Sequence, residues 1–346
     1  MNVNKKKIYS TLIREKYNQQ KQKILDHNKN VQIKRLQNFY LNKLLYPITF
    51  SIPECKIVSE IPNKTKLLSS LVPGDLKTYI YNNEMDYYNE YKESFFATTT
   101  KKAGWDCLRH YEIIANGCIP YFPNIENCPS NTMSLLPKDL ILNGNLLYET
   151  NKNKNINDIS VETKNKFNKL IEIMLKYLKN NLTTCKISEY ILRVTNNKDI
   201  SNALFLSGNT EPDYLRCLTL HGFKTIYGKH CHDYPMISHL YKIDNIDYSK
   251  LYGKGMTYTN LLDRNLHDNK CDNTIVNDII NKKYDIVIYG SFHRGTPFID
   301  LVMKYYEKNK IIFLCGEDIG CCQESHVKLL NKGYNVFVRE LQEIEL

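Results

Sequence analysis

FFATTTKKAGWDCLRHYEIIANGCIPYF (95–122) decides how this chain is read. Its first six residues are aromatic or β-branched, or small, the composition of a strand. A Lys-Lys-Ala-Gly loop follows, then a helix over 105–116, a glycine at 117, and a second short strand, CIPYF. Strand, helix and strand in succession are the unit from which parallel sheets are assembled. The same stretch holds the chain's one tryptophan and gathers Lys101, Lys102, Arg109, His110 and Glu112 around a single helix.

Upstream, KIVSEI (56–61) and KTYIY (77–81) predict strands, the second launched from the Pro73-Gly74-Asp75 turn. NEMDYYNEYKES (83–94) predicts a helix. Downstream, Pro129 and Pro137 bracket a loop, and an Asn-rich run without pattern extends to about residue 159. Phe167, Leu170, Ile171, Met174, Leu175 and Leu178 then recur at helical spacing, which predicts a core-facing helix over 161–180. A second helix over 186–194 leads into the polar linker TNNKD.

Residues 200–346 repeat the alternation. ALFLSG (203–208) reads as a buried strand, followed by a helix opened at Thr210-Glu211-Pro212 and capped at Gly222. FKTIYG (223–228) reads as the next strand, and a long irregular insert runs to about 273. Helices over 274–283, 297–308 and 323–331 then alternate with the strands DIVIYGSF, IIFLCGED and YNVFVREL. Five strands alternating with helices make a Rossmann-like unit, whose ligands bind beyond the carboxyl ends of the strands. The G-x-G-x-x-G dinucleotide fingerprint is absent. The expected fold is α/β, with two Rossmann-like domains (46–195 and 200–346) behind a basic helical extension (1–45).

The charge belongs to that extension. Residues 1–45 carry eleven Lys and Arg against Glu15 and Asp26, and so hold nine of the ten net positive charges. The remaining body is nearly neutral, which speaks against bulk nucleic-acid binding by the folded part. A solvated arm and an arm touching an anionic surface both fit its composition. Eleven cysteines without a repeated short spacing, and no apolar run of transmembrane length, lead to the expectation of a reduced, cytoplasmic, soluble protein.

Three clusters have the residue types of a site. Lys101 and Lys102 precede a helix N-terminus, where backbone N–H groups favour phosphate. Arg109 and Glu112, three apart on one helical face, either pair with each other or contact a ligand. His293 and Arg294 follow a buried strand, and Glu317 and Asp318 follow the next, where a carboxylate serves as general base or as a helix cap. His230, Cys231, His232, His239 and Cys271 offer metal-ligand types without zinc spacing, and read as scattered loop residues.

LRHYEIIANGCIPYF (108–122) resembles the donor-domain signature of GT-B glycosyltransferases, especially the exostosin-like and spore-maturation-type families. The stretch ALFLSGNTEPDYLRCLTLHGFKTIYG (203–228), with DIVIYGSFHRGTP and KIIFLCGED, is similar to the acceptor half of such enzymes, so the order of the halves looks permuted. The resemblance implies transfer of a sugar from a nucleotide sugar to a hydroxyl of a glycan or protein acceptor. It places Glu112 on the ribose and Arg109 in a phosphate-binding or structural role, with Lys101 and Lys102 toward the diphosphate; Arg294, read from its place at the strand edge, would contact donor phosphate or acceptor. His293, Glu317 or Asp318 would then activate the acceptor. No metal and no cofactor beyond the nucleotide-sugar co-substrate is implied. The competing readings are a non-catalytic GT-B-like scaffold that binds nucleic acid or membrane through its basic arm, and another Rossmann-type enzyme acting on phosphates.

Overall fold

The computed structural model describes residues 44–318 and 324–341. The expectations for the basic extension and its anionic contacts therefore lie almost entirely outside the described residues, as does Gln323. The described residues are α/β, with two all-parallel sheets of Rossmann-like character. Strands β1 (Leu45–Pro47), β5 (Ala203–Ser207), β6 (Cys231–Tyr234), β7 (Ile286–Gly290), β8 (Ile311–Cys315) and β9 (Asn335–Val338) form a six-stranded sheet in the order β1-β9-β8-β7-β5-β6. Strands β2 (Lys66–Leu68), β3 (Ser94–Thr98) and β4 (Ile119–Tyr121) form a three-stranded one. β1 lies beside β9, so the first described strand completes the sheet built by the far end of the chain.

Helices α1 (Glu84–Lys92) and α2 (Leu108–Ala115) cross over between the strands of the small sheet. α3 (Lys138–Asn151), α4 (Val161–Asn181) and α5 (Thr184–Val194) connect it to the large sheet, where α6 (Tyr214–Tyr227), α7 (Asn269–Ile280), α8 (Ile299–Tyr305) and α9 (Glu324–Asn331) alternate with strands. The five residues of β5, β7 and β8 are all buried, which explains their unbroken apolar runs: helices cover both faces. Phe205, Ile288, Ile312 and Phe337 on one face share a continuous core with Phe96, Ile119 and the apolar stripe of α4. Leu204, Val287, Phe313 and Val336 pack on the opposite face with Ile275, Ile279 and Val302. No helix among the described residues is long and apolar enough to cross a membrane.

Several expected elements differ. The strands expected at 56–61 and 77–81 are absent. Glu54–Lys56 and Leu76–Thr78 form single 3₁₀ turns, and the small sheet takes Lys66–Leu68 instead. α3 occupies the run that looked unpatterned. α2 starts at Leu108, because Trp105 and Asp106 are held in the preceding loop by a distant carboxylate. FKTIYG is not a strand: α6 continues through it to Gly228, and the strand is the polar tetrapeptide CHDY. Thr210 is not the cap of α6; Asp213 is, accepting from the Arg216 N–H at 3.0 Å. Gly222 lies inside α6 and not at its end. A Cβ there would stand 2.1 Å from the Thr184 carbonyl oxygen, so the glycine lets α5 seat closely on α6.

Candidate functional site

The large sheet reverses direction between β5 and β7, since the chain moves outward to β6 and then returns to the other side of β5. At such a switch point the loops leaving the two central strands diverge and open a crevice. Here the crevice floor is filled by the protein itself. A Cβ on Gly208, after β5, would lie 2.1 Å from the Arg294 carbonyl oxygen, after β7. Arg294 donates from Nε to Asp213 at 2.8 Å and from Nη1 to Glu211 at 3.2 Å, which binds the two loops together. The fully buried Arg216 fastens the first loop further, through the carbonyl oxygens of Asn209 and Glu211. Arg294 is thus engaged with protein carboxylates.

The β3–α2 loop reaches this sheet edge through Arg339 and Glu340, which follow β9. Glu340 accepts from the Trp105 N–H at 3.0 Å and from the Asp106 N–H at 2.9 Å. Arg339, completely buried, donates to the Asp106 carbonyl oxygen at 2.6 Å, to the Gly316 and Glu317 carbonyl oxygens, and to the Asp318 carboxylate. The Asp106 carboxylate accepts from the Phe50 N–H at 2.7 Å and from the Tyr111 hydroxyl at 2.8 Å. Burial pushes its pKa up to about 7, against the pull of Arg339. One guanidinium therefore ties the loop ahead of α2 to the loop leaving β8. The sequence offered only a weak sign of this clasp: a charged Arg-Glu pair immediately after an apolar strand.

Arg109 and Glu112 do not pair in the structure. Glu112 is buried and accepts from the Tyr87 hydroxyl at 2.8 Å and from the Thr257 hydroxyl. Burial raises its pKa, while these hydroxyls oppose the rise. Thr257 belongs to the insert after β6 and also donates its backbone N–H to Glu84 at 2.9 Å. The insert is therefore seated on α1 and α2. Arg109 is about nine-tenths buried, its guanidinium 5.6 Å from the centre of the Tyr79 ring. Its Nε and Nη1 are buried, the Tyr79 hydroxyl is within their range, and no carboxylate pairs with them among the described residues. Its charge is felt by Tyr214 at the start of α6, so it lies toward the large sheet's switch-point loops.

Lys101 and Lys102 are exposed, and the Lys101 ammonium stands 5.1 Å from the centre of the Trp105 ring. His110, in contrast, is wholly buried: Nδ1 meets the Thr99 hydroxyl and Nε2 the Trp105 carbonyl oxygen, both at 2.9 Å. Burial holds its pKa down to about 3, so the imidazole is neutral.

At the exits of β7 and β8, His293, Cys315 and Glu317 present one ligand-type atom each, all within 4.8 Å of one another. The Cys315 thiol is 3.6 Å from Glu317 and is pushed up to about 12 by burial, so it stays protonated. His293 is held down by burial, with Asp213 and Glu317 opposing, and its Nδ1 is buried without a hydrogen-bond partner. Neutral imidazole and carboxylate side by side at a strand edge suit general-base work. Asp318, paired with Arg339, serves the clasp. The structure thus groups His293 with Glu317, and separates Glu112 and Arg294 onto protein partners. A depression of about 360 Å³ lies elsewhere, lined by residues including Leu135, Tyr190 and Arg193, and holds none of these groups. Compared with family models, curated proteins and solved structures, the chain matches none of them.

Proposed function

We propose that this protein is a nucleotide-sugar-dependent glycosyltransferase, with the donor diphosphate beside Arg109 and the acceptor activated at His293 and Glu317. The observation that carries the reading is the Arg109 guanidinium, buried against the Tyr79 ring with no carboxylate paired to it among the described residues. A buried cation without a counter-charge is costly, and an anionic group entering between α2 and the switch-point loops would satisfy it. Charge-assisted hydrogen bonds from a guanidinium to phosphate oxygens are among the stronger ones a protein makes. Lys101 and Lys102 on the exposed loop would add attraction at the mouth.

In the reaction, the acceptor oxygen attacks the anomeric carbon as the bond from that carbon to the diphosphate oxygen breaks. Arg109 stabilises the negative charge that grows on the leaving diphosphate. The acceptor proton passes to His293, which burial keeps neutral and so able to accept it, with Glu317 beside it. Arg294 holds the two switch-point loops in register through its Nε and Nη1 bonds to Asp213 and Glu211. Glu112 anchors Thr257 and Tyr87, so that a ribose would share its carboxylate with these two hydroxyls.

The test is a thermal-shift panel of nucleoside diphosphates and nucleotide sugars, followed by transfer or hydrolysis assays. One nucleotide should raise Tm, and Arg109→Gln should abolish the rise. His293→Gln should retain the nucleotide shift but lose turnover by roughly two or more orders of magnitude. Absence of any nucleotide response would refute the proposal, as would an unchanged response in Arg109→Gln.

A further inference from the structure

At the opposite flank of the large sheet, edge strand β6 carries a second cluster that the reaction above does not use. His232 lies in β6. His267 ends the 3₁₀ turn Arg264–Leu266, and Asp272 sits in the first turn of α7. His232 Nε2 is 3.1 Å from Asp272 Oδ1, and His267 Nε2 is 3.2 Å from Asp272 Oδ2. The two imidazoles lie nearly parallel, 28° apart with centroids at 5.5 Å. His232 is 3 % exposed and His267 4 %, so both nitrogens converge on the carboxylate from inside the protein.

The remaining nitrogen of His267 defines its tautomer. Nδ1 stands 3.0 Å from Asp233 Oδ1, which also accepts from the Tyr241 hydroxyl at 2.8 Å and pairs with the Lys224 ammonium at 2.7 Å. A histidine whose one nitrogen donates to a buried carboxylate presents the lone pair of the other, the arrangement found behind metal-ligating imidazoles. A proton on Nε2 would satisfy only one Asp272 oxygen. It would leave His232 Nε2 facing Asp272 Oδ1 at 3.1 Å, and both of these atoms are buried without an aligned hydrogen bond. One divalent cation would satisfy all three groups at once. In a tetrahedral site with metal–ligand bonds of about 2.0–2.1 Å, ligand atoms are about 3.3 Å apart, near the two imidazole–carboxylate separations, and the three groups' ligand atoms all lie within 4.8 Å of one another.

We propose that His232, His267 and Asp272 bind a zinc-class divalent ion that clamps the two ends of the long insert to the sheet edge. Two imidazoles and a carboxylate suit zinc better than magnesium or calcium, which favour all-oxygen sets. Asp272 is the outermost ligand, with 28 % of its side chain exposed, so the fourth position faces solvent and takes water. The site closes the segment that begins after β6 and carries Thr257 to Glu112. Its role is therefore structural. Of the five residues whose types suggested a metal in the sequence, only His232 takes part. Cys231 is buried in the core, and His239 meets Cys217.

The full chain, freed of any affinity tag and purified without chelator, should carry close to one zinc per chain by elemental analysis. After zinc is stripped, cobalt(II) should give the visible d–d absorption of a four-coordinate site, displaced by added zinc. Asp272→Asn and His232→Ala should each weaken cobalt binding by tenfold or more. Asp233→Asn should weaken it by about 10–100-fold through His267. If these variants fold poorly, the wild-type chain decides alone: chelation should lower its Tm and zinc should restore it. The proposal falls if the wild-type chain binds no stoichiometric zinc or cobalt. It also falls if folded Asp272→Asn and His232→Ala variants bind metal as tightly as the wild type, which would move the ion to the His293, Cys315 and Glu317 group.

Discussion

The two parallel sheets follow the same alternation of strand and helix, but they are held together by different means. In the large sheet, β5, β7 and β8 each bury five consecutive residues between helices on both faces. In the small sheet, β2 and β4 have three residues each, and those of β2 are only half-buried. It shares the apolar core of Phe96, Ile119 and α4 with the large sheet and adds polar clasps: Arg339 and Glu340 on the β3–α2 loop, and Glu112 on Thr257. The large sheet thus rests on apolar burial, which adds in small increments. The small one adds to its share of that burial a few buried charges whose individual loss is expensive.

The comparison is broken most directly at Arg339. Arg339→Ala leaves the buried Glu340 carboxylate without its cation and frees the Asp106 carbonyl oxygen, and should cost about 3–5 kcal/mol in urea unfolding. If the clasp is local to the small sheet, limited proteolysis should cut first within residues 60–130. Equal protection across both halves would show that the clasp stabilises the whole unit. A smaller effect comes from His110, which fixes the same loop as a neutral imidazole. Its folded pKa of about 3 lies below its ordinary value, so the stabilisation is complete above about pH 6.5 and is lost as pH falls toward 3. Between pH 6.5 and 5 the loss should be about 1.6 kcal/mol. His110→Gln should flatten that slope in unfolding curves measured across the range. The smallest change belongs to the apolar sheet. Ile288→Val removes one buried methylene from β7 and should cost about 0.5–1.5 kcal/mol, with no pH dependence.

The same contrast explains which elements could be read beforehand. β5, β7, β8 and β9 are apolar runs of strand length, and α4 repeats its apolar residues at 3.6 spacing. Both signals are carried by the residues themselves. KLL and CHDY have no such pattern, and become strands because a neighbouring edge supplies hydrogen-bonding partners. FKTIYG has strand composition, but its chain continues the helix begun at Tyr214, because Phe223 then packs into the core and Gly222 against α5. Local propensity is weak enough for such contacts to override it.

The site shows the same division. The residue types near Arg109 and near His293 could be read from the chain, because a helix after a strand and a loop after a buried strand put side chains at a sheet edge. Their partners could not. Glu112 meets Tyr87 and Thr257, 25 and 145 positions away, in place of the neighbour at i − 3. Arg294 meets Asp213 and Glu211 across the switch point. His232 meets residues brought back by a long insert.

For this chain, composition and periodicity were enough to determine a parallel α/β architecture and the segments that line its carboxyl edge. Hydrophobic spacing along a strand or helix is a local property, and it survives in the bare sequence. Only the folded structure decided which charges are spent on holding loops together and which are left without a carboxylate partner. That choice depends on distances between residues far apart in the chain. It separates Arg294 and Arg339, paired with carboxylates of the protein, from Arg109, which no carboxylate pairs among the described residues.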